Sequence, residues 1–118
     1  RIQELFDNNL SSLKKSFSSY SFSDDETKIM MKSIHDKFNY ISEPHGAIGY
    51  LGLKKHGLKT NEFGVFLETA HPVKFLQVVE ETLTVNVEIP PQIKQVMSKE
   101  KVSILISNYQ DLKNFLNK

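Results

Sequence analysis

The sequence predicts an α/β fold, mostly helical, with about two short strands. Three observations carry this reading. Several stretches place apolar residues three and four apart, the spacing of helices that bury one face. Ser–x–x–Glu or Pro signals stand at the heads of those stretches. One short apolar run, Gly64-Val65-Phe66-Leu67, is followed at once by a Pro-headed helical pattern, the strand–turn–helix order of a layered α/β structure.

The elements follow in order. Ile2, Leu5, Phe6, Leu10, Leu13 and Phe17 are helically spaced, with Asn8 and Asn9 as the break between two helices. A Ser-rich loop runs from Ser16 to Ser23. Ser23 and Glu26 form a capping box, and the helix behind it carries Met31, Ile34, Phe38 and Ile41 and ends near Tyr40. Ser42-Glu43-Pro44 opens the next helix, with Pro44 in the first turn, where its missing N–H costs nothing. Gly57 ends that helix after His56. Gly46, Gly49 and Gly52 lie three apart within it. They suit close packing on another backbone, or a smooth face beside a ligand.

Gly64 to Leu67 reads as a short buried strand and Val102 to Ile106 as a second. Between them, Pro72 heads a helix with Phe75, Val78, Val79 and Leu83, and Pro90-Pro91 heads a short one with Ile93, Val96 and Met97. Ser107 with Gln110 caps a last helix bearing Leu112, Phe115 and Leu116. Two short strands cannot bury so many helices, so further strands are expected outside this chain. A start without Met, already inside a helical pattern, reads in the same way.

Composition narrows the function. The chain has 118 residues, is 39% hydrophobic and 25% charged, and carries a net charge of +1. That suits one ordinary domain, or part of a larger one, and argues against a nucleic-acid or acidic-membrane partner. Fourteen of the 15 basic residues are Lys, and the one Arg is at position 1. An anion would be met by Lys, hydroxyls or helix N-termini, with no interior Arg fork. There is no Cys, which removes thiolate chemistry and fits a reducing compartment. The four His residues show no metal-ligand spacing, and no nucleophile elbow, dinucleotide fingerprint or phosphate loop occurs.

Ligands in α/β layers collect at the carboxyl ends of strands. The run ending at Leu67 directs that end at Glu68, Thr69 and His71, and the next helix adds its N-terminal amides. This turn is the candidate site. Thr69 as a plain N-cap and His71 as a surface residue is the competing reading.

Two phrases carry a resemblance. Glu43-Pro44-His45-Gly46-Ala47-Ile48-Gly49-Tyr50 resembles a segment of threonine synthases in which an acidic residue precedes Pro-His. Gly64-Val65-Phe66-Leu67-Glu68-Thr69-Ala70-His71-Pro72-Val73-Lys74-Phe75 is similar to their Thr-Ala-His-Pro-Ala-Lys-Phe segment, with Val73 in place of Ala. Spacing and flanks agree over essentially the whole chain, which resembles the last quarter of these enzymes. The resemblance implies that residues 1–118 are the C-terminal segment of a cytoplasmic pyridoxal-phosphate enzyme of fold type II. Such an enzyme makes L-threonine and phosphate from O-phospho-L-homoserine and water. The Schiff-base lysine and the loop for the cofactor phosphate belong to the family's N-terminal part. This stretch alone is therefore expected to bind the cofactor weakly or not at all and to be inactive, with no catalytic residue of its own and no metal.

By the same resemblance Thr69 meets the cofactor's ring nitrogen, and Glu43, His45, His71 and Lys74 line the site. The expected partners are the substrate and the missing N-terminal part, with self-association through uncovered apolar surface. Two alternatives remain: another fold type II lyase or dehydratase, and a non-enzymatic helical module. The module would carry its two motifs on opposite surfaces.

Overall fold

The computed structural model describes residues 1–117. Seven α-helices are present among them: α1 (Ile2–Leu5), α2 (Leu10–Ser16), α3 (Asp24–Phe38), α4 (Pro44–His56), α5 (Leu76–Leu83), α6 (Pro91–Met97) and α7 (Tyr109–Leu116). A 3-10 helix, Pro72–Phe75, leads into α5. The chain divides into two compact units, Arg1–Glu88 and Ile89–Lys118.

In the first unit the helix ends follow local chemistry. Asp7 and Asn8 take left-handed backbone between α1 and α2, and the Asn9 side chain caps α2 on the Ser12 amide at 3.0 Å. The Ser23 hydroxyl accepts from the Glu26 amide, and the Glu26 carboxylate accepts from the Ser23 amide, closing the capping box on α3. The Ser23 amide and the Ser23 hydroxyl both donate to the Glu26 carboxylate, at 2.7 and 3.0 Å, and hold its carboxyl below the usual pKa. Asn39, in left-handed conformation, stops α3, and Gly57 stops α4.

α3 packs on both α4 and α5. The core between them is Met30, Met31 and Ile34 from α3, Ala47 from α4, Val79 from α5 and Val87 beyond it. Ile41, Tyr50, Leu51, Phe75, Leu76 and Leu83 close around it. The Glu80 carboxylate accepts from the Val87 amide at 3.0 Å and fastens the segment after α5.

The α/β expectation is corrected here. Among the described residues there is no strand, and the chain is helical. Gly64 to Leu67 and Val102 to Ile106 form no ladder. A strand is completed by a neighbour's hydrogen bonds, and among the described residues neither run makes a backbone hydrogen bond. Nor is the first run buried: Val65 is 80% and Leu67 73% exposed. A side chain on Gly64 would meet Leu53 and Leu58, one on Gly49 would meet Phe66, and one on Gly46 would overlap Glu68. Residues 64, 66 and 68 thus face α4 in antiparallel order while 65 and 67 face away, the two-residue alternation of extended backbone. This close approach explains Gly46 alone: a Cβ on Gly49 would make ordinary contact with Phe66, and one on Gly52 ordinary contact with Tyr20.

In the second unit, Pro91 stands in the first turn of α6, and Asn108 caps α7 by accepting from the Asp111 amide at 2.9 Å. The Ser107–Gln110 cap is therefore displaced by one residue, because Asn108-x-x-Asp111 offers the same chemistry one step on. This unit contains no buried residue among those described. Val102 and Leu105 are 91% and 93% exposed.

Compact bodies of the two units' lengths would together expose about 7,700 Å². The accessible surface is 10173 Å², and large apolar side chains, Phe63, Val102 and Leu105 among them, are almost wholly exposed.

Candidate functional site

The two motif segments meet at the N-terminus of α4. Glu43 is fully buried. Its Oε1 accepts from the Gly46 amide at 3.1 Å and its Oε2 from the His45 amide at 2.9 Å. It therefore satisfies two of the orphan donors that every helix start presents, and its charge complements the helix dipole. The same Oε2 lies 2.8 Å from His45 Nδ1. A carboxylate only accepts, so Nδ1 carries the proton and Nε2 is left free. The His45 side chain is 59% exposed, and its ring rests on Phe75 with centroids 5.0 Å apart. One histidine of the first motif is thus oriented by its own carboxylate and by the last residue of the second motif.

A second tie runs through Ser42 and Glu68. Ser42 is fully buried, and its hydroxyl donates to Glu68 Oε1 at 2.7 Å, with the Glu43 carbonyl 3.0 Å away. Nearby Tyr40 has its pKa raised, first by burial and then by the charges of Glu68 and Glu43. The two carboxylates and the phenol share one small region.

The predicted residues fall as follows. Glu43 and His45 sit together at the head of α4. Thr69 is exposed, directly after Glu68, and its hydroxyl has no hydrogen-bond partner among the described residues. The cap at the following helix is His71, whose Nδ1 accepts from the Val73 amide at 3.1 Å. Capping therefore does not occupy Thr69. Lys74 is exposed, with Nζ 5.6 Å from the Phe75 ring centre. No group of three or more His, Asp or Glu residues is gathered for a metal ion among the described residues.

Sequence reasoning missed Ser42 as a partner and read Glu68 only as a neighbour of Thr69. Their bond spans 26 positions, beyond any local pattern. The signal that could have suggested it is Gly46, which leaves room for a side chain on the first turn of α4.

The two motif segments are joined on one helical block. The family model "Threonine synthase, C-terminal" matches residues 46–116. The threonine synthase of Buchnera aphidicola subsp. Acyrthosiphon pisum is 40% identical over 117 residues, covering 98% of this chain and 27% of that one. That of Haemophilus influenzae is 39% identical over 111 residues, covering 94% and 24%. The crystal structure of threonine synthase from Escherichia coli aligns with a TM-score of 0.77 at 28% identity, over 98% of this chain and 27% of that one. The chain belongs to the threonine synthase family. It spans about a quarter of the length of the curated relatives it matches.

Proposed function

We propose that the complete protein converts O-phospho-L-homoserine and water to L-threonine and phosphate with pyridoxal phosphate, in the cytoplasm, and that this chain supplies one wall of its site. The observation that carries the reading is the junction of the two motif segments: Ser42 bonded to Glu68, and the His45 ring tilted against Phe75. A helical module with its motifs on opposite surfaces would not have it.

The donor set tests the fit to the cofactor. Thr69 offers a free, exposed hydroxyl, suited to a neutral ring nitrogen. The α4 amides that could take a phosphate are already taken by Glu43, and the chain's one Arg is at position 1. This chain thus fits the ring end of the cofactor, and its phosphate and its lysine fall to the rest of the protein. When bound, pyridoxal phosphate supplies an electron sink for carbanions.

The chain's own residues orient and exclude. The Thr69 hydroxyl meets the ring nitrogen without forcing a proton onto it. Glu43 holds His45 through Nδ1, leaving Nε2 to bind an anion or carry a proton. Phe75 shields one side of that ring, and His71 and Lys74 border the turn. The bare rows at Val65, Leu67, Val102 and Leu105 are covered by the rest of the same protein, or by self-association when it is missing.

The test is formation of threonine and phosphate by the complete protein carrying Thr69→Ser, Thr69→Ala or Thr69→Asp. Ser should keep most activity. Ala should lose roughly tenfold to a hundredfold, from a lost hydrogen bond of about 1–3 kcal/mol. Asp should be worse, because its charge holds the ring protonated. Full activity with Asp would remove Thr69 from the site, and no threonine from the unaltered protein would refute the reading.

A further inference from the structure

We propose that Glu68 is a positioning residue for Thr69, held by Ser42 and made possible by the missing side chain of Gly46. The proposal rests on the reading that Thr69 meets the cofactor's ring nitrogen.

Glu68 immediately precedes Thr69, so whatever fixes its side chain sets where the next peptide goes. Two contacts fix it. Its Oε1 accepts from the fully buried Ser42 hydroxyl at 2.7 Å. Its carboxyl also lies where a Cβ on Gly46 would stand. Both contacts lie at the head of α4, Ser42 just before its cap and Gly46 in its first turn, where Glu43 holds two amides. On the far side of Thr69 the chain is caught again, by the His71 cap and the fixed φ of Pro72. Thr69 and Ala70 are thus strung between two anchors.

Stability does not account for a carboxylate here. Glu68 and Glu43 both raise the pKa of Tyr40, so two like charges share one region, and like charges oppose each other. An amide of the same length would keep the Ser42 bond without that repulsion. The proposed role is geometric, so Gln should serve.

The experiment uses the complete protein with pyridoxal phosphate as the probe. Three readouts are taken: the absorption band of the bound cofactor, its dissociation constant, and hydrogen exchange over residues 66–71 in the cofactor-free protein. Glu68→Ala and Ser42→Ala should shift the band, weaken cofactor binding roughly tenfold, as loss of one good hydrogen bond would, and speed exchange over the turn. Glu68→Gln should stay within about twofold of the unaltered protein. Gly46→Ala displaces the carboxyl while favouring helix. It should shift the band with an unchanged melting temperature, which keeps the test decisive if Glu68→Ala fails to fold.

If Glu68→Ala and Gly46→Ala leave band, affinity and exchange unchanged while Thr69→Ala alters the band and affinity, the positioning role is refuted and the Thr69 reading stands. A Gln variant as impaired as Ala also refutes it, since the charge would then matter. A silent Thr69→Ala overturns the reading itself and the positioning role with it.

Discussion

The segment from Asp24 to Val87 and the unit from Ile89 onward carry similar apolar patterns, yet among the described residues only the first has a core. In α3, Met31 and Ile34 are buried against Ala47 and Val79. In α7, Leu112, Phe115 and Leu116 have the same helical spacing and remain exposed. Amphipathic pattern therefore reports which face seeks cover, and burial follows only where another element supplies it. The candidate site belongs to the covered region: Glu43, His45, Glu68 and Phe75 all contact elements of the α3–α4–α5 block.

The contrast can be broken by truncation at matched positions. Met31→Ala should destabilise the first unit by about 2–5 kcal/mol, the range for emptying a packed site. Leu105→Ala should fall within about 0.5 kcal/mol of no change, as surface substitutions do. Chemical denaturation compares the two, and equal losses would mean that Leu105 is as well packed as Met31.

A smaller effect probes the head of α4. Glu43→Ala should cost about 2 kcal/mol, because it removes a cap and strands buried amides. Glu43→Asp keeps a capping carboxylate and should lose less, and the same denaturation series separates the two.

The glycines sharpen the comparison further. At Gly49 an added Cβ would stand 3.4 Å from Phe66, an ordinary contact. Gly49→Ala should raise stability by up to about 1 kcal/mol through helix propensity, seen as a higher melting temperature. A marked fall would show that the segment at Phe66 lies closer to α4 than described.

What the sequence made legible was local chemistry. Ser23 with Glu26, Pro44, Gly57 and Pro91 act within one or two turns of backbone, and each marks a helix end where expected. The strands failed because their hydrogen bonds lie across space. An apolar run such as Gly64 to Leu67 looks the same whether it joins a sheet or lies along a helix. Glu43 and His45 were legible as neighbours in sequence. The Ser42–Glu68 bond, 26 positions apart, was not. His71 as the cap in place of Thr69 could be decided only by backbone geometry at Pro72.

The smallest effect is alkaline. Burial and the charges of Glu68 and Glu43 raise the Tyr40 pKa in the folded state. The folded protein then holds this proton longer than the unfolded chain does. Stability is intact below the ordinary tyrosine range and declines as pH climbs through it toward the folded value. Tyr40→Phe should flatten that limb of a stability-against-pH curve, and an unchanged slope would remove Tyr40 from the carboxylate region.

Residue-level hydrogen exchange on the 118-residue chain tests most directly whether the site is built on the one region with a core. The slowest amides should be those of Met31, Ile34 and Val79, with His45 and Gly46, whose amides Glu43 holds, slowed alongside them. Amides of residues 102–106 should exchange near the rate of unstructured chain. Equal protection in both regions, or fast exchange at His45 and Gly46 within a protected α3–α5 block, would contradict the account.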